Sequence, residues 1–218
     1  MEFPIHPAPY RVVTDRLELR CPEVADVQAI HEGILESLDA LRPWMPWVSN
    51  DPVPLSERAK VVRDLRAGFD RGKDFTFMVF RRDTGRFVGG MGLHPRVGTG
   101  GLELGYWVRT SEQGRGQAVE GASALIRVGL EHVGADRIEI RIELDNGPSQ
   151  RVVEKLGVPR EATLRRRFHR AGDFRDVHVF TVFRSTFAGS PASRVSPQCF
   201  GAAGESLRAR FPFAEEPA

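Results

Sequence analysis

The sequence has little of what marks secreted, metal-binding or membrane proteins. Its two cysteines, Cys21 and Cys199, stand far apart in 218 residues, without a Cys-x-x-Cys pair or histidines at metal-ligand spacing. A disulfide framework and a metal site are therefore not indicated. No basic start followed by an apolar run opens the chain, and no stretch reaches membrane-spanning length. We expect a cytoplasmic protein that is neither exported nor inserted into a membrane.

The sequence also lacks a large excess of positive or negative charge. The 31 Lys and Arg residues are nearly balanced by 29 Asp and Glu residues, which leaves a net charge of +2. Nucleic-acid binding usually requires a strongly positive surface, so we do not expect a nucleic-acid partner. The local basic run Arg165–Arg167, with Arg170, is the one feature that favours it.

Hydrophobic periodicity predicts a single mixed α/β domain over residues 1–187. The predicted fold is a mostly antiparallel sheet of about seven strands with helices on both faces. Residues 188–218 form a tail of small residues and proline, which is either disordered or docked through its few apolar side chains. Strands are predicted at 16–20, 75–80, 87–93, 102–108, 138–144, 163–170 and 174–183, and helices at 23–41, 55–72, 118–133 and 148–156.

A glycine-bearing turn, 110–118, lies between the strand that ends at Val108 and the next helix. The first turn of a helix has unpaired N–H groups and the positive end of the helix dipole, so it suits an anion. Gly114 and Gly116 have no side chains that would block a phosphate. The chain has no Gly-x-x-x-x-Gly-Lys-[Ser/Thr] motif and no third glycine at 119, so other nucleotide-binding signatures are absent. A diphosphate is the expected ligand.

The turn sequence Gln-Gly-Arg-Gly-Gln-Ala at 113–118 resembles the [Arg/Gln]-x-x-Gly-x-[Gly/Ala] signature of the GNAT acetyltransferase superfamily. Residues 146–149 with 153–157 resemble a second motif of that superfamily. Further segments are similar to its RimJ/RimL-like subgroup, which acetylates the N-terminal amines of ribosomal proteins; they are 15–20, 44–47, 104–107 and 161–165 with Asp176. The likeness covers residues 12–184 and departs at Val158, at Pro159 and in the tail.

This resemblance implies an N-acyltransferase that uses acetyl-CoA or another acyl-CoA, with direct attack of a primary amine on the thioester. It implies a V-shaped splay between the strands 102–108 and 137–144, opening after Gly105, where the pantetheine arm lies along the backbone. The coenzyme-binding residues that it implies are Tyr106, Trp107, Val108, Gln113, Gly114, Arg115, Gly116, Gln117, Ala118, Asn146 and Ser149.

Three residues are candidates for catalysis under this resemblance. Glu103 is the first choice for the general base, with a solvated strand glutamate as the alternative of equal weight. Glu161 is the reserve, because a glutamate at the start of a strand is more often only a surface residue. Ser149 is expected to protonate the departing thiolate, unless it is only a turn serine. Trp44 and Trp47 either wall the acceptor cleft or belong to the core or an oligomer contact. His94, His169 and His178 are expected to be structural.

Several alternatives stay open at this stage. The acceptor amine could belong to a protein N-terminus, a lysine, an aminoglycoside or another small molecule, and the donor could be succinyl-CoA. A coenzyme A-binding regulator without catalysis is the alternative from another functional class. Whether the chain forms a homo-oligomer, such as a dimer, is also open.

Overall fold

The computed structural model describes residues 5–170 and 172–213. Ala171, residues 1–4 and residues 214–218 of the predicted tail lie outside the described residues. The strands are β1 Arg11–Val13, β2 Leu17–Arg20, β3 Phe75–Arg81, β4 Phe87–His94, β5 Gly101–Val108, β6 Arg137–Glu143, β7 Arg160–Arg170, β8 Asp173–Phe183, β9 Gln198–Phe200 and β10 Ser206–Leu207. The helices are α1 Val27–Leu41, α2 Leu55–Asp70, α3 Gln117–Val128 and α4 Gly147–Leu156.

The strands form one sheet in the order β10-β9-β1-β2-β3-β4-β5-β6-β8-β7. Neighbouring strands pair antiparallel except β5 and β6, which are parallel. The predicted mixed, mostly antiparallel sheet is confirmed. The described residues contain ten strands instead of about seven, because β1, β9 and β10 have only two or three residues each. Segments that short have too little alternation to be recognised in the sequence.

Alternate side chains of β3 enter two separate cores. Phe75, Phe77 and Val79 face one core, whereas Met78 and Phe80 face the other. The first core also contains the apolar faces of α3 and α4, and the second contains those of α1 and α2. The two sides of the sheet are thus covered by different helices, as predicted.

The helix predicted over 118–133 is present with one irregularity near its end. Its regular part, α3, is followed by a π-helical turn over Gly129–Val133. The chain then leaves the helix at Gly134, whose φ of +87° is a conformation that glycine adopts without strain.

The part of the tail that the structure describes packs against the domain. Strand β9 pairs with β1, so the tail extends the sheet beyond its first strand. Phe187 is fully buried and its ring lies 5.2 Å from that of Phe213. The guanidinium of Arg127 on α3 donates to the carbonyls of Ser193 and Val195 at 2.7 and 3.0 Å. These contacts describe a docked segment through residue 213.

Replacing Phe187 with alanine should lower the free energy of unfolding by about 3–5 kcal/mol, because a fully buried aromatic ring leaves a cavity. Urea unfolding followed by circular dichroism measures this loss. The matched control is Phe174→Ala, since Phe174 is 48% exposed and its loss should change the value by less than about 0.5 kcal/mol. Equal effects of the two substitutions would contradict the burial of Phe187 between the domain and the tail.

Candidate active site

The sheet splits between β5 and β6. Their parallel pairing covers three residue pairs and ends at Glu103 opposite Glu139. β6 continues instead along β8, with which it pairs over its whole length. In the described chain, no strand pairs with residues 104–108 on that side. The predicted V-shaped splay is present, and it opens two residues earlier than expected, after Glu103 instead of Gly105.

The loop that follows β5 has the backbone of an anion site. Gly114 and Gly116 have φ values of +75° and +78°, and Gly116 is the N-cap of α3. Glycine favours this left-handed region, and it brings no side chain to the first turn of the helix. No side chain of the described residues caps that turn, and residues 113–116 are exposed. The amides at the start of α3 are therefore available to a negatively charged group.

Side chains around the loop hold its shape. Arg16 forms an ion pair with Glu120 at 2.6 Å, and its Nη1 donates to the carbonyl of Arg115 at 3.0 Å. The side-chain amide of Gln113 donates to the backbone carbonyl of Val108 at 3.1 Å. The Gln117 side chain is buried and donates to Glu112 at 3.2 Å, so it supports the loop from inside. Of the predicted loop residues, the two glutamines thus contribute support through their side chains.

Helix α1 fixes the segment that leads into the loop. The carboxylate of Glu36 accepts hydrogen bonds from the Ser111 amide at 2.8 Å and from Arg109 Nε at 2.6 Å. Next to it, Ser37 Oγ accepts from the Thr110 amide at 3.1 Å. Partial burial alone would raise the pKa of Glu36, but the hydrogen bonds from Ser111 and Arg109 and the charge of Arg109 lower it to about 2.

A cavity of about 950 Å³ lies on the α1 and α2 side of the sheet and reaches the splay. Its apolar walls include Ile30, Ile34, Trp44, Met45 and Trp47, so both tryptophans line it. The Trp47 ring lies 5.9 Å from that of Trp107 on β5. This placement favours the cleft interpretation of the two tryptophans over the core interpretation. A second cavity, of about 460 Å³, borders the loop and is lined by residues of both charges and a glutamine: Asp15, Arg16, Arg81, Arg82, Asp83, Arg115 and Gln117.

The cavity contains some of the predicted catalytic residues and not others. Glu103 is 8% exposed, and both its oxygens accept hydrogen bonds from Arg96, at 2.8 and 3.1 Å. Ser149 also lines the cavity. Glu161 is exposed, sits at the register shift of β7 and is not among the lining residues. The roles of all three stay predictions.

Asn146, Ser149 and Tyr106 form a small hydrogen-bonded group at the splay. The Asn146 side chain accepts from the Ser149 amide at 3.2 Å and caps α4. The Tyr106 hydroxyl donates to the Ser149 carbonyl at 3.2 Å. Burial raises the pKa of Tyr106 well above its ordinary value, so the phenol stays protonated at neutral pH.

One pair in the cavity was not anticipated from the sequence. His94 at the end of β4 and Asp74 just before β3 approach to 2.6 Å, between Nδ1 and Oδ2. They are 20 residues apart and belong to no motif. A usable signal did exist, because Gly90 and Gly92 precede His94 at alternate positions of the strand. That pattern leaves one face of β4 free for large side chains.

Two further kinds of site are absent from the part of the chain that the structure describes. Within residues 5–170 and 172–213, no group of three or more histidine, cysteine or acidic side chains is arranged to hold a metal ion. None of the described helices combines the length and the apolar character that crossing a membrane requires.

Comparison with known proteins identifies the class. The profile described as "Acetyltransferase (GNAT) domain" matches residues 16–159. The chain is 26% identical over 171 residues to the uncharacterized N-acetyltransferase YnaD of Bacillus subtilis, covering 78% of this chain and 95% of YnaD. Because the profile covers more than half of its length, the chain belongs to the GNAT acetyltransferase family, whose enzymes use acyl-CoA.

Solved structures agree with this assignment. Mycobacterium smegmatis RimJ, in complex with a CoA disulfide, superposes with a TM-score of 0.67 at 26% identity, over 89% of this chain and 95% of RimJ. RimL, the ribosomal L7/L12 α-N-protein acetyltransferase, in complex with coenzyme A, superposes with a TM-score of 0.70 at 22% identity, over 78% of this chain and 96% of RimL. The predicted resemblance to the RimJ/RimL-like subgroup is confirmed.

The Glu36 contacts predict a pH-dependent contribution to stability. Because folding lowers the pKa of Glu36 to about 2, the contribution is present above the ordinary carboxyl pKa of about 4.5 and is lost as the pH falls towards 2. The side chain is 31% exposed, and solvent screening limits the effect. Glu36→Gln should lower the free energy of unfolding by about 1 kcal/mol at pH 7 and by almost nothing near pH 2.

Urea unfolding at several pH values measures this difference. The control is Glu32→Gln, one turn earlier on α1, whose carboxylate accepts a hydrogen bond only from the exposed Gln28. If Glu36→Gln lowered the free energy of unfolding by the same amount at every pH, the lowered pKa of Glu36 would be contradicted.

Proposed function

We propose that the protein transfers an acyl group, with acetyl as the favoured one, from acyl-CoA to a primary amine such as the N-terminal amine of a protein. The observation that carries this proposal is that three features adjoin one another: a glycine loop at the start of α3, a stretch of β5 that β6 does not pair with, and a large cavity. The loop suits the diphosphate of the coenzyme, the open strand suits its amide-bearing arm, and the cavity suits the acceptor.

The backbone beside the loop fits the coenzyme. Amides of residues 114–118 would hold the diphosphate, with Arg115 as a charged neighbour. The backbone of Tyr106, Trp107 and Val108 pairs with β4 on one side and with no described strand on the side of β6, where it would bind the pantetheine amides as an added strand would. Asn146 is placed to orient the arm where α4 begins. When bound, acyl-CoA supplies a thioester whose carbonyl carbon accepts the amine.

The other side of the splay fits the departing thiolate. Ser149 lines the cavity at the beginning of α4, and its hydroxyl is our candidate proton donor. Tyr106 fixes the Ser149 carbonyl and, because its pKa is raised, adds no negative charge beside a thiolate. Glu103 stays a candidate base, with the condition that its ion pair with Arg96 opens first.

The acceptor side favours an α-amine for a physical reason. An α-amino group titrates near pH 8, whereas a lysine titrates near 10.4, so a weak base suffices for the former. The cavity combines indole and aliphatic walls with a polar floor, which suits the first residues of a peptide better than a polycationic sugar. RimL, by its name, acts on such an amine.

Release of free coenzyme A thiol tests the proposal directly. Acetyl-CoA and succinyl-CoA would each be incubated with N-terminal peptides, Nα-blocked lysine peptides, an aminoglycoside and small amines. We expect thiol release with acetyl-CoA and unblocked peptides, and none when the same peptides are N-terminally acetylated. Tight acyl-CoA binding without thiol release from any pair would instead indicate a regulator, and preference for blocked lysine peptides would contradict the α-amine.

A bulky residue in the loop tests the coenzyme site. Gly116→Trp should weaken acyl-CoA binding at least about tenfold, because losing a charge-assisted hydrogen bond costs about 1.5–3 kcal/mol. Gly204→Trp is the matched control, since Gly204 has a φ of +81°, close to the +78° of Gly116, and lies between β9 and β10. Calorimetry measures both affinities. Unchanged binding in Gly116→Trp would place the diphosphate elsewhere.

A further inference from the structure

We propose that His94, oriented by Asp74, is the general base that removes the proton from the acceptor amine. The inference rests on the proposed acyl transfer and assigns one of its steps to a pair of residues outside the recognised motifs.

The imidazole lies against two glycines, one of which makes room for it. A Cβ atom on Gly92 would come within 2.7 Å of both Cε1 and Nε2 of His94, so the ring would have to shift. A Cβ atom on Gly105, the cross-strand partner of Gly92, would lie 3.5 Å from Nε2, which is an ordinary van der Waals distance. The ring therefore lies across the backbones of β4 and β5, and its present position depends on the glycine at 92.

The hydrogen bond to Asp74 fixes the tautomer of the ring. A carboxylate only accepts hydrogen bonds, so Nδ1 donates to Asp74, and in the neutral imidazole the lone pair is on Nε2. Thr76 Oγ1 donates to the other oxygen of Asp74 at 2.9 Å and holds the carboxylate in place. Burial raises the pKa of Asp74, but the hydrogen bonds from His94 and Thr76 outweigh burial and lower it, so Asp74 stays ionised. Among the described residues, Nε2 has no hydrogen-bond partner.

The position of Nε2 matches the place of the reaction. Gly105 is the second residue of β5 after the pairing with β6 ends at Glu103. Nε2 therefore lies on the cavity side of the sheet, close to the opening where the thioester is expected. Glu103 is the direct cross-strand neighbour of His94, but its two oxygens are occupied by Arg96. A proton can reach Nε2 without breaking an ion pair, whereas Glu103 must first release a guanidinium.

Other ionisable groups face the same cavity and must be separated from His94 in any pH experiment. They are Asp74, Arg96 and Glu103 beside the ring, Arg58 on α2, Arg141 and Glu143 on β6, and Arg167 and His169 on β7. His169 is the one other imidazole in the described lining, which makes it the natural control.

The proposed step moves one proton to the imidazole and the acyl group to nitrogen. The acceptor ammonium gives one proton to Nε2, and the freed nitrogen lone pair forms the N–C bond with the thioester carbonyl carbon. The C–S bond breaks and its electron pair leaves with sulfur, which takes a proton either from water or from Ser149, whose hydroxyl then regains a proton from water. The second proton of the nitrogen passes to solvent through the open cavity. The products are an amide and a free thiol, while Asp74 stabilises the imidazolium until it deprotonates.

The pH dependence of kcat tests the assignment. The wild-type protein should lose activity on the acid side with one titration between about pH 5 and 8, the range of histidine. His94→Gln should lower kcat about 10²–10⁴-fold and remove that titration, with acyl-CoA affinity and melting temperature little changed. The His169→Gln variant should keep the acid-side titration of kcat. Asp74→Asn should lower kcat and displace the titration, because the ring loses its orienting anion.

Chemical rescue separates a missing base from a damaged fold. His94→Ala leaves a hole bounded by Gly92 and Gly105, and added imidazole should restore part of kcat in it but not in Ser149→Ala. The proposal is wrong if the wild-type profile lacks this titration, if His94→Gln retains it, or if only Glu103→Gln removes it. If the wild-type protein releases thiol but gives one of these results, only the role of His94 is contradicted, and the proposed acyltransferase function is not. A wild-type protein that releases no thiol with any amine would end both proposals.

Discussion

The incomplete pairing of β5 with β6 is the feature on which the rest of the site depends. A buried strand normally satisfies its backbone groups on both sides, and β5 does so only up to Glu103. Beyond that point its second edge is open because β6 follows β8. The sheet thus offers backbone hydrogen bonds to a chain-like ligand without needing specialised side chains.

Helix α1 connects the two halves of the site. Its residues Ile30 and Ile34 line the large cavity, and the next turn, with Glu36 and Ser37, holds the strand end that precedes the glycine loop. Helix α1 therefore contacts both the cavity and residues 109–111, so one rigid element fixes the position of the cavity wall relative to the loop.

The sequence predicts local features well and spatial neighbours poorly. The loop at 113–118 was recognisable because its residues are consecutive and its chemistry depends on the backbone. The long strands and the four helices were recognisable from their periodicity. The contact of His94 with Asp74 depends on how the β3–β4 hairpin and the end of α2 come together, and no spacing encodes that. The Arg96 partner of Glu103 was missed for the same reason, since it requires the register of β4 against β5.

The two ends of the sheet are protected in different ways. At one end the tail strands β9 and β10 lie beyond β1, so β1 is an interior strand. At the other end β7 is the edge, with exposed Arg165, Arg166 and Arg167 at a register shift. Clustered cations and an irregular ladder prevent another strand from adding to an edge. The basic run that in the sequence alone suggested nucleic acid thus marks the irregular, charged edge of the sheet, a kind of edge that disfavours the addition of another strand.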